Sequence, residues 1–195
     1  MDELNIETFL ANDDLRIASV WKERIIEELK DCDLIIPILS KDFQKSDWCS
    51  QELGIFYIQN KKIIPISFDE TKPYGFYNHI QSRLIKNMPI ELIISEGLME
   101  CNNNFNGFIN LLKKRLSFRW AETIFNTLEP YFDKIEKDDL NALIDISIRD
   151  GQIWSASECF NKYIPKLLEK RCNDIIPEYF KKIKYQIENQ EWYKK

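Results

Sequence analysis

Histidine and glycine are scarce in this sequence, and their scarcity excludes several kinds of catalytic site. The 195 residues include one histidine, His79, and five glycines. A Ser-His-Asp or Cys-His arrangement would have to use that histidine, and a helical H-E-x-x-H metal site cannot form. Neither G-x-G-x-x-G nor G-x-x-x-x-G-K-[ST] occurs, so the common phosphate-binding loops are absent. Any catalysis would depend on carboxylates, or on a cysteine without an evident base.

Paired cysteines, basic stripes and long apolar runs are also missing. The five cysteines include no C-x-x-C pair, which favours reduced thiols in a cytoplasmic protein over disulfides or a zinc site. No apolar stretch reaches the roughly 18 residues of a transmembrane helix, and the acidic N-terminal segment does not resemble a signal peptide. The net charge is −5. We therefore expect neither a membrane nor a nucleic acid as partner.

Short apolar runs alternate with amphipathic helical patterns in the first part of the chain. Strands are predicted at residues 6–11, 34–39, 62–69 and 90–95, and helices at 19–33, 48–62 and 103–118. This order predicts an α/β fold with an open parallel sheet and helices on its faces. Pro37 cannot donate to a ladder, which suggests a sheet edge or a bulge.

Three loops of this predicted sheet should lie on the same rim. They follow strands and span residues 12–19, 40–48 and 70–81. In open α/β sheets, ligands bind outside the carboxyl ends of the strands. Most of the unusual residues of the sequence are in these loops.

From residue 118 onwards the pattern is helical throughout. Apolar residues recur at helical spacing and no strand-like run is present, which predicts three or four packed helices. We therefore divide the chain into an α/β domain at residues 1–117 and an all-helical region at 118–195.

The stretch "SKDFQKSDWCSQELG", residues 40–54, contains the strongest candidate for a functional side chain. On a helix that begins near Asp47, the face that should meet the sheet contains Cys49, Leu53, Phe56, Tyr57 and Asn60. Trp48 and Glu52 lie one turn apart on the flank of that face. Glu52 is therefore a candidate for a fixed, partly desolvated carboxylate. It could equally be an ordinary acidic residue that is favoured near a helix N-terminus.

Several motifs in this region resemble the Toll/interleukin-1 receptor (TIR) domain of the prokaryotic type. They include a loop of the form S-x-x-F-x-x-S-x-W, a helix that opens with W-x-x-x-E, and a strand with I-I-P-I before a P-Y-G-F loop. The resemblance extends from residue 4 to about residue 116 and implies a flavodoxin-like fold. It also implies that the first strand and helix of the domain are missing, because the chain begins at what resembles the second strand.

The resemblance implies cleavage of NAD⁺ at the nicotinamide–ribose bond, with NAD⁺ as substrate and no cofactor. The glutamate of W-x-x-x-E is catalytic in such enzymes, and here it is Glu52. Trp48 would stack on a ring of the dinucleotide, and the remaining positions implied for the site border it: Phe43, Ser46, Asp14, Leu15 and Arg16. The products would be nicotinamide and ADP-ribose or a cyclic isomer, in prokaryotic defence or signalling.

Other interpretations of these residues remain open. The family also contains TIR domains that only assemble with other TIR domains, so a non-catalytic interaction module is the alternative function. Ser46 could be a helix cap, Phe43 a loop anchor and Arg16 a solvated charge. Cys49 as a nucleophile is a weaker alternative, because the predicted helix points it towards the core without a nearby base.

Overall fold

A computed structural model describes residues 7–9, 21–114 and 117–189. The chain divides into two compact units, Met1–Ile93 and Ile94–Lys195, and each is treated on its own below. Of the strand predicted at 6–11, only residues 7–9 are described, and they have no strand conformation. The loop predicted at 12–19, with Asp14, Leu15 and Arg16, lies outside the described residues. The boundary predicted between residues 117 and 118 stays a prediction.

The first unit is a parallel sheet with helices. Its helices are α1 Trp21–Asp31, α2 Lys41–Lys45 and α3 Asp47–Ile58, and α4 Ile90–Asn102 begins at its end. Its strands are β1 Leu34–Ile35, β2 Ile38–Leu39, β3 Lys62–Ile63, β4 Ile66–Ser67 and β5 Arg83–Leu84. Short 3₁₀ turns cover Gly75–Tyr77 and Ile85–Asn87. The parallel α/β fold predicted from the sequence is confirmed.

Two prolines interrupt this sheet at the same level. β1 pairs with β3 and β2 with β4, all parallel, and β5 lies on the other side of β4. Leu34 pairs with Lys62 and Ile38 with Ile66, so the register is the same on both sides and Pro37 is level with Pro65. Both proline carbonyls still accept, from the N–H groups of Ile66 at 3.0 Å and Arg83 at 2.9 Å. The constant register excludes the bulge, and the segment of Pro37 lies at the edge of the described sheet.

The core of the first unit lies between the sheet and helices α1 and α3. Its fully packed members come from both helices, the strands and the 3₁₀ turn: Ile25, Leu29, Leu39, Leu53, Phe56, Ile63 and Tyr77. Leu53 and Phe56 lie on the face of α3 that the sequence pattern had assigned to the core. Burial of such side chains stabilises a fold by about 1.5–3 kcal/mol each.

Two local predictions are wrong, and one strand was missed. Residues 90–95, predicted as a strand, form the start of α4 instead. A short continuous apolar run fits a buried helix segment as well as a buried strand, and here the four consecutive residues Leu92, Ile93, Ile94 and Ser95 are all buried in the helix. The predicted loop at 40–48 contains the short helix α2. Strand β5 was not predicted, because two residues carry no periodic signal.

The second unit is helical, as predicted. After α4 its helices are α5 Asn106–Lys113, α6 Phe118–Leu128, α7 Lys137–Arg149, α8 Gly151–Trp154, α9 Ile164–Arg171 and α10 Pro177–Glu188. A π-helical turn at Cys159–Tyr163 leads into α9. The buried residues of these helices form the core of the second unit, and its fully buried side chains include Phe108, Phe125, Phe132, Leu140 and Phe160. None of the described helices is both long and apolar enough to cross a bilayer.

Candidate functional site

The carboxyl ends of β2 and β4 bring two of the predicted rim loops together. Leu39 pairs with Ser67, so the segments that follow these residues start side by side. One segment contains α2 and the start of α3, and the other runs from residue 68 to residue 81. The prediction of a common rim is confirmed for these two loops, and the third loop, 12–19, lies outside the described residues.

Serine caps fix the two helices of the first segment. The Ser40 hydroxyl accepts from the Phe43 N–H at 3.1 Å, and the Ser46 hydroxyl accepts from the Cys49 N–H at 3.3 Å. The Ser46 N–H in turn donates to the Phe43 carbonyl at 3.2 Å. Ser46 is therefore the N-cap of α3, one of the two roles considered for it, and satisfies an amide that would otherwise lack an acceptor.

Phe43 packs beneath this segment. Its side chain is partly buried against the core of the first unit, so it anchors α2 to the sheet side of the domain. A contact between Phe43 and a bound dinucleotide stays a prediction, as does one from Ser46.

Glu52 lies in the second turn of α3, next to the buried face of the helix. Its carboxylate is half-buried, and burial raises its pKa above the ordinary value of 4.5. Among the described residues, no cation or hydrogen-bond donor contacts this carboxylate. Since no described residue pairs with it, Glu52 can accept hydrogen bonds from a ligand, and partial desolvation makes its ionised form more basic than that of an exposed glutamate.

Trp48 precedes Glu52 by one helical turn and is 41% exposed. Residues four apart lie on the same side of a helix, so the indole and the carboxylate share one flank of α3. The predicted pairing of these two side chains on one flank follows from the observed helix. A tryptophan side chain has an apolar aromatic face and one N–H group.

The loop after β4 is tied to α2 and α3 by polar contacts. The Asp69 carboxylate accepts from the Lys41 N–H at 3.4 Å, and the Gln44 side-chain amide donates to the Lys72 carbonyl at 3.3 Å. The Tyr74 hydroxyl is 3.0 Å from the Ser50 hydroxyl and 3.4 Å from the Phe43 carbonyl. Hydrogen bonds from Thr71 and Lys41 keep the pKa of Asp69 below its usual value.

This loop lies on the flank of α3 opposite to Glu52. Ser50 and Tyr57 contact it through Tyr74 and Phe76, whose ring stacks on Tyr57 at 5.8 Å between centroids. At about 100° per residue, Glu52 is about 200° around the helix from Ser50. The loop after β4 therefore packs on the flank of α3 that carries Ser50 and Tyr57, and it does not border the Glu52 carboxylate.

The alternative nucleophile, Cys49, has no histidine beside it. His79 lies edge-on against Tyr57, with ring centroids 6.2 Å apart, and Tyr57 is two helical turns from Cys49. Within residues 7–9, 21–114 and 117–189, no group of three or more histidine, cysteine, aspartate or glutamate side chains could hold a metal ion.

Sequence reasoning missed Tyr74 and Ser50 as parts of this region. The P-Y-G-F motif identified the loop, but the sequence gives no direct signal that the Tyr74 hydroxyl reaches α3. That contact depends on the register of β2 and β4, which brings the two segments together.

Comparison with known families agrees with this architecture. The family model of the TIR domain matches residues 2–88, which include the sheet, the caps of α2 and α3, and Glu52. No curated protein and no solved structure gives a significant match to the chain. The parallel sheet, the flanking helices and the family match lead to one conclusion: residues 2–88 of this protein belong to the TIR domain family.

Proposed function

We propose that this TIR domain cleaves NAD⁺ between nicotinamide and ribose, with Glu52 as the catalytic carboxylate. The observation that carries the proposal is the environment of Glu52: it is half-buried, its pKa is raised by burial, and no described residue pairs with it. The position of this residue in the W-x-x-x-E motif supports the same assignment.

One carboxylate is enough for this reaction. Nicotinamide leaves as a neutral molecule because the ring nitrogen is cationic in NAD⁺, so no general acid has to protonate it. The ribose develops oxocarbenium character, as sugars do in glycoside cleavage. Water then bonds to the ribose carbon and loses a proton, which gives ADP-ribose, or a nucleophile within the same molecule takes its place and gives a cyclic isomer. A fixed carboxylate stabilises that positive charge and accepts hydrogen bonds from the ribose hydroxyls.

The absence of a described cationic partner favours this role. An ion pair between Glu52 and an arginine or lysine would neutralise the charge that must stabilise the transition state; Arg16 is proposed only to border the site, not to pair with Glu52. A ligand with hydroxyl donors and a developing positive charge would instead compensate the desolvated carboxylate.

Other residues have supporting roles in the proposal. Trp48 is 41% exposed on the flank of Glu52 and could stack on a ring of the dinucleotide. Phe43 and Ser46 hold the start of α3, and Asp14, Leu15 and Arg16 would border the site. The resemblance to prokaryotic TIR enzymes supports a role in defence or signalling.

A non-catalytic assembly module is the second candidate. TIR domains commonly self-associate, and one specific observation favours association here. Ile58 and Phe76 are 80% and 76% exposed in the first unit. Phe76 lies on the flank of α3 away from Glu52, so assembly through it and catalysis at Glu52 are compatible.

The test compares nicotinamide release from NAD⁺ by the parent, Glu52→Gln and Asp47→Asn at several protein concentrations, with light scattering on the same samples. Asp47→Asn removes an exposed carboxylate from the same helix and is the matched control. Release by the parent and Asp47→Asn, but not by Glu52→Gln, supports catalysis. Equal release by the parent and Glu52→Gln would exclude it, and concentration-dependent association without any release would favour the assembly module.

A further inference from the structure

We propose that Tyr74 is a positioning residue for the Glu52 helix and acts through its hydroxyl group. The inference rests on the proposed NAD⁺ cleavage for its catalytic consequence. Its structural part, that the loop after β4 fixes the start of α3 through one hydroxyl group, stands on the observed contacts.

The Tyr74 hydroxyl and its two partners form a chain of hydrogen bonds with a defined direction. The Phe43 carbonyl can only accept, so the Tyr74 hydroxyl donates to it at 3.4 Å. Tyr74 has a single hydroxyl proton, so in the 3.0 Å contact with Ser50 the serine hydroxyl is the donor. The proton order therefore runs from Ser50 to Tyr74 to Phe43.

This chain spans the junction of α2 and α3. Phe43 is in α2, Ser50 is in the first turn of α3, and the Phe43 carbonyl also accepts from the N–H of Ser46, the cap of α3. The Tyr74 ring is itself held against the buried Tyr77, with centroids 5.2 Å apart. Because the ring is fixed in this way, its hydroxyl links α2 and α3 rigidly. We call the hydrogen-bonded chain Ser50–Tyr74–Phe43 the strut.

The strut acts on the side of α3 opposite to Trp48 and Glu52. Because a helix turn is rigid, movement of Ser50 moves Glu52, two residues further along the same backbone. Small misplacements of a catalytic group can reduce a rate strongly, while substrate binding elsewhere is little changed. Loss of the Tyr74 hydroxyl should therefore lower kcat more than it changes KM.

The experiment uses the full chain and four variants: Tyr74→Phe, Ser50→Ala, the double variant and the control Tyr57→Phe. Tyr57 is in the same helix and contacts the same loop, and its hydroxyl makes no hydrogen bond with the described residues. Steady-state kinetics with NAD⁺, thermal melting, and hydrogen exchange at the amides of residues 49 and 50 are measured for each variant.

We expect Tyr74→Phe and Ser50→Ala each to lower kcat about tenfold with KM unchanged, and the double variant to be no worse than either. Exchange at the amides of residues 49 and 50 should accelerate about fivefold in both, and Tyr57→Phe should behave as the parent. If Tyr74→Phe fails to fold, Ser50→Ala gives the same test, because it removes an exposed hydroxyl.

Unchanged kcat and unchanged exchange in Tyr74→Phe and Ser50→Ala would overturn the inference, as would losses that Tyr57→Phe shares. If the parent itself releases no nicotinamide, the proposed function fails. The exchange rates then decide the positioning inference separately: faster exchange in Tyr74→Phe than in Tyr57→Phe supports it, and equal rates reject it.

Discussion

The functional proposal depends on one residue, Glu52, and on the ionisation of its carboxyl group. Burial of this carboxyl raises its pKa above 4.5. Ionisation is therefore less favourable in the folded chain than in the unfolded chain. Two consequences follow, one for the rate of NAD⁺ cleavage and one for stability.

The first prediction concerns the pH dependence of nicotinamide release. Because the reaction requires the ionised carboxylate, the rate should fall as pH decreases through the pKa of Glu52. The midpoint of that fall should lie above 4.5, the ordinary value for glutamate, in a profile of kcat/KM against pH. A midpoint at or below 4.5 would contradict the assignment of a half-buried Glu52 as the catalytic group.

The second prediction concerns stability. A carboxyl whose pKa is higher in the folded state destabilises the fold above that pKa, and this cost disappears when both states are protonated. Glu52→Gln should therefore melt at a higher temperature than the parent at pH 7, and the difference should vanish at a pH below 4. The measurement is thermal unfolding at the two pH values, and a lower melting temperature for Glu52→Gln at pH 7 would contradict it.

Among the helices, close packing holds α5 against α4, and buried polar contacts hold α7 against the segment that leads into α10. Gly107, in α5, approaches α4 so closely that a Cβ on it would collide with the Ser95 side chain. Gly54, in α3, has no atom within 4 Å of such a Cβ. The two glycines therefore make a matched pair for one substitution.

The third prediction uses this pair. Gly107→Ala should destabilise the protein by about 1–3 kcal/mol, because the buried serine must move. Gly54→Ala should stabilise it by about 1 kcal/mol, because alanine favours the helix and meets no neighbour. Urea unfolding of both variants checks the signs, and destabilisation by both would show that the packing at Gly54 is tighter than described.

The fourth prediction concerns Asn141, a buried polar residue of α7. Its amide nitrogen donates to the carbonyls of Lys137 at 2.7 Å and Asp174 at 3.1 Å, and its oxygen accepts from the Ile176 N–H at 2.7 Å. Asn141 thus connects α7 to the segment that leads into α10.

Asn141→Ala should lower the free energy of unfolding by about 2–3 kcal/mol, because two backbone groups at residues 174 and 176 lose their partners. Asn161→Ala is the control, since its exposed amide has one hydrogen bond within the described part of the chain, to the Ser157 hydroxyl at 3.1 Å. Its effect should stay within about 0.5 kcal/mol. Equal effects of the two variants in urea unfolding would contradict the role given to Asn141.

Elements with a long periodic pattern could be predicted from the sequence, and short ones could not. The apolar runs at 34–39 and 62–69 predicted the paired strands, and the pattern at 48–62 predicted α3 with Leu53 and Phe56 on its buried face. The strand predicted at 90–95 was wrong because its isoleucines favour strands, and because a helix that is buried on most sides, as α4 is, shows no clear helical period over six residues. Strand β5 has only two residues and no pattern.

The candidate site was partly predictable for the same reason. The cap at Ser46 and the shared flank of Trp48 and Glu52 follow from local spacing along one helix. The strut through Tyr74 depends on contacts 24 and 31 residues apart in sequence, and on a strand register that no local pattern specifies.

For the whole molecule, the family match and the division into units agree in outline. The TIR domain family covers residues 2–88, and the first compact unit is Met1–Ile93. The second unit, Ile94–Lys195, is helical throughout its described part and has buried residues of its own. The proposed catalytic residue therefore lies in the TIR unit, and the central claim for the molecule is that Glu52 cleaves NAD⁺ there.

The most direct test of this claim is an NMR time course of NAD⁺ with the full chain and with Glu52→Gln at equal concentrations, after melting curves have shown that both are folded. Free nicotinamide signals should grow with the parent and be absent with the variant. Nicotinamide produced at the same rate by both proteins would contradict the claim, because the reaction would then not depend on the Glu52 carboxylate.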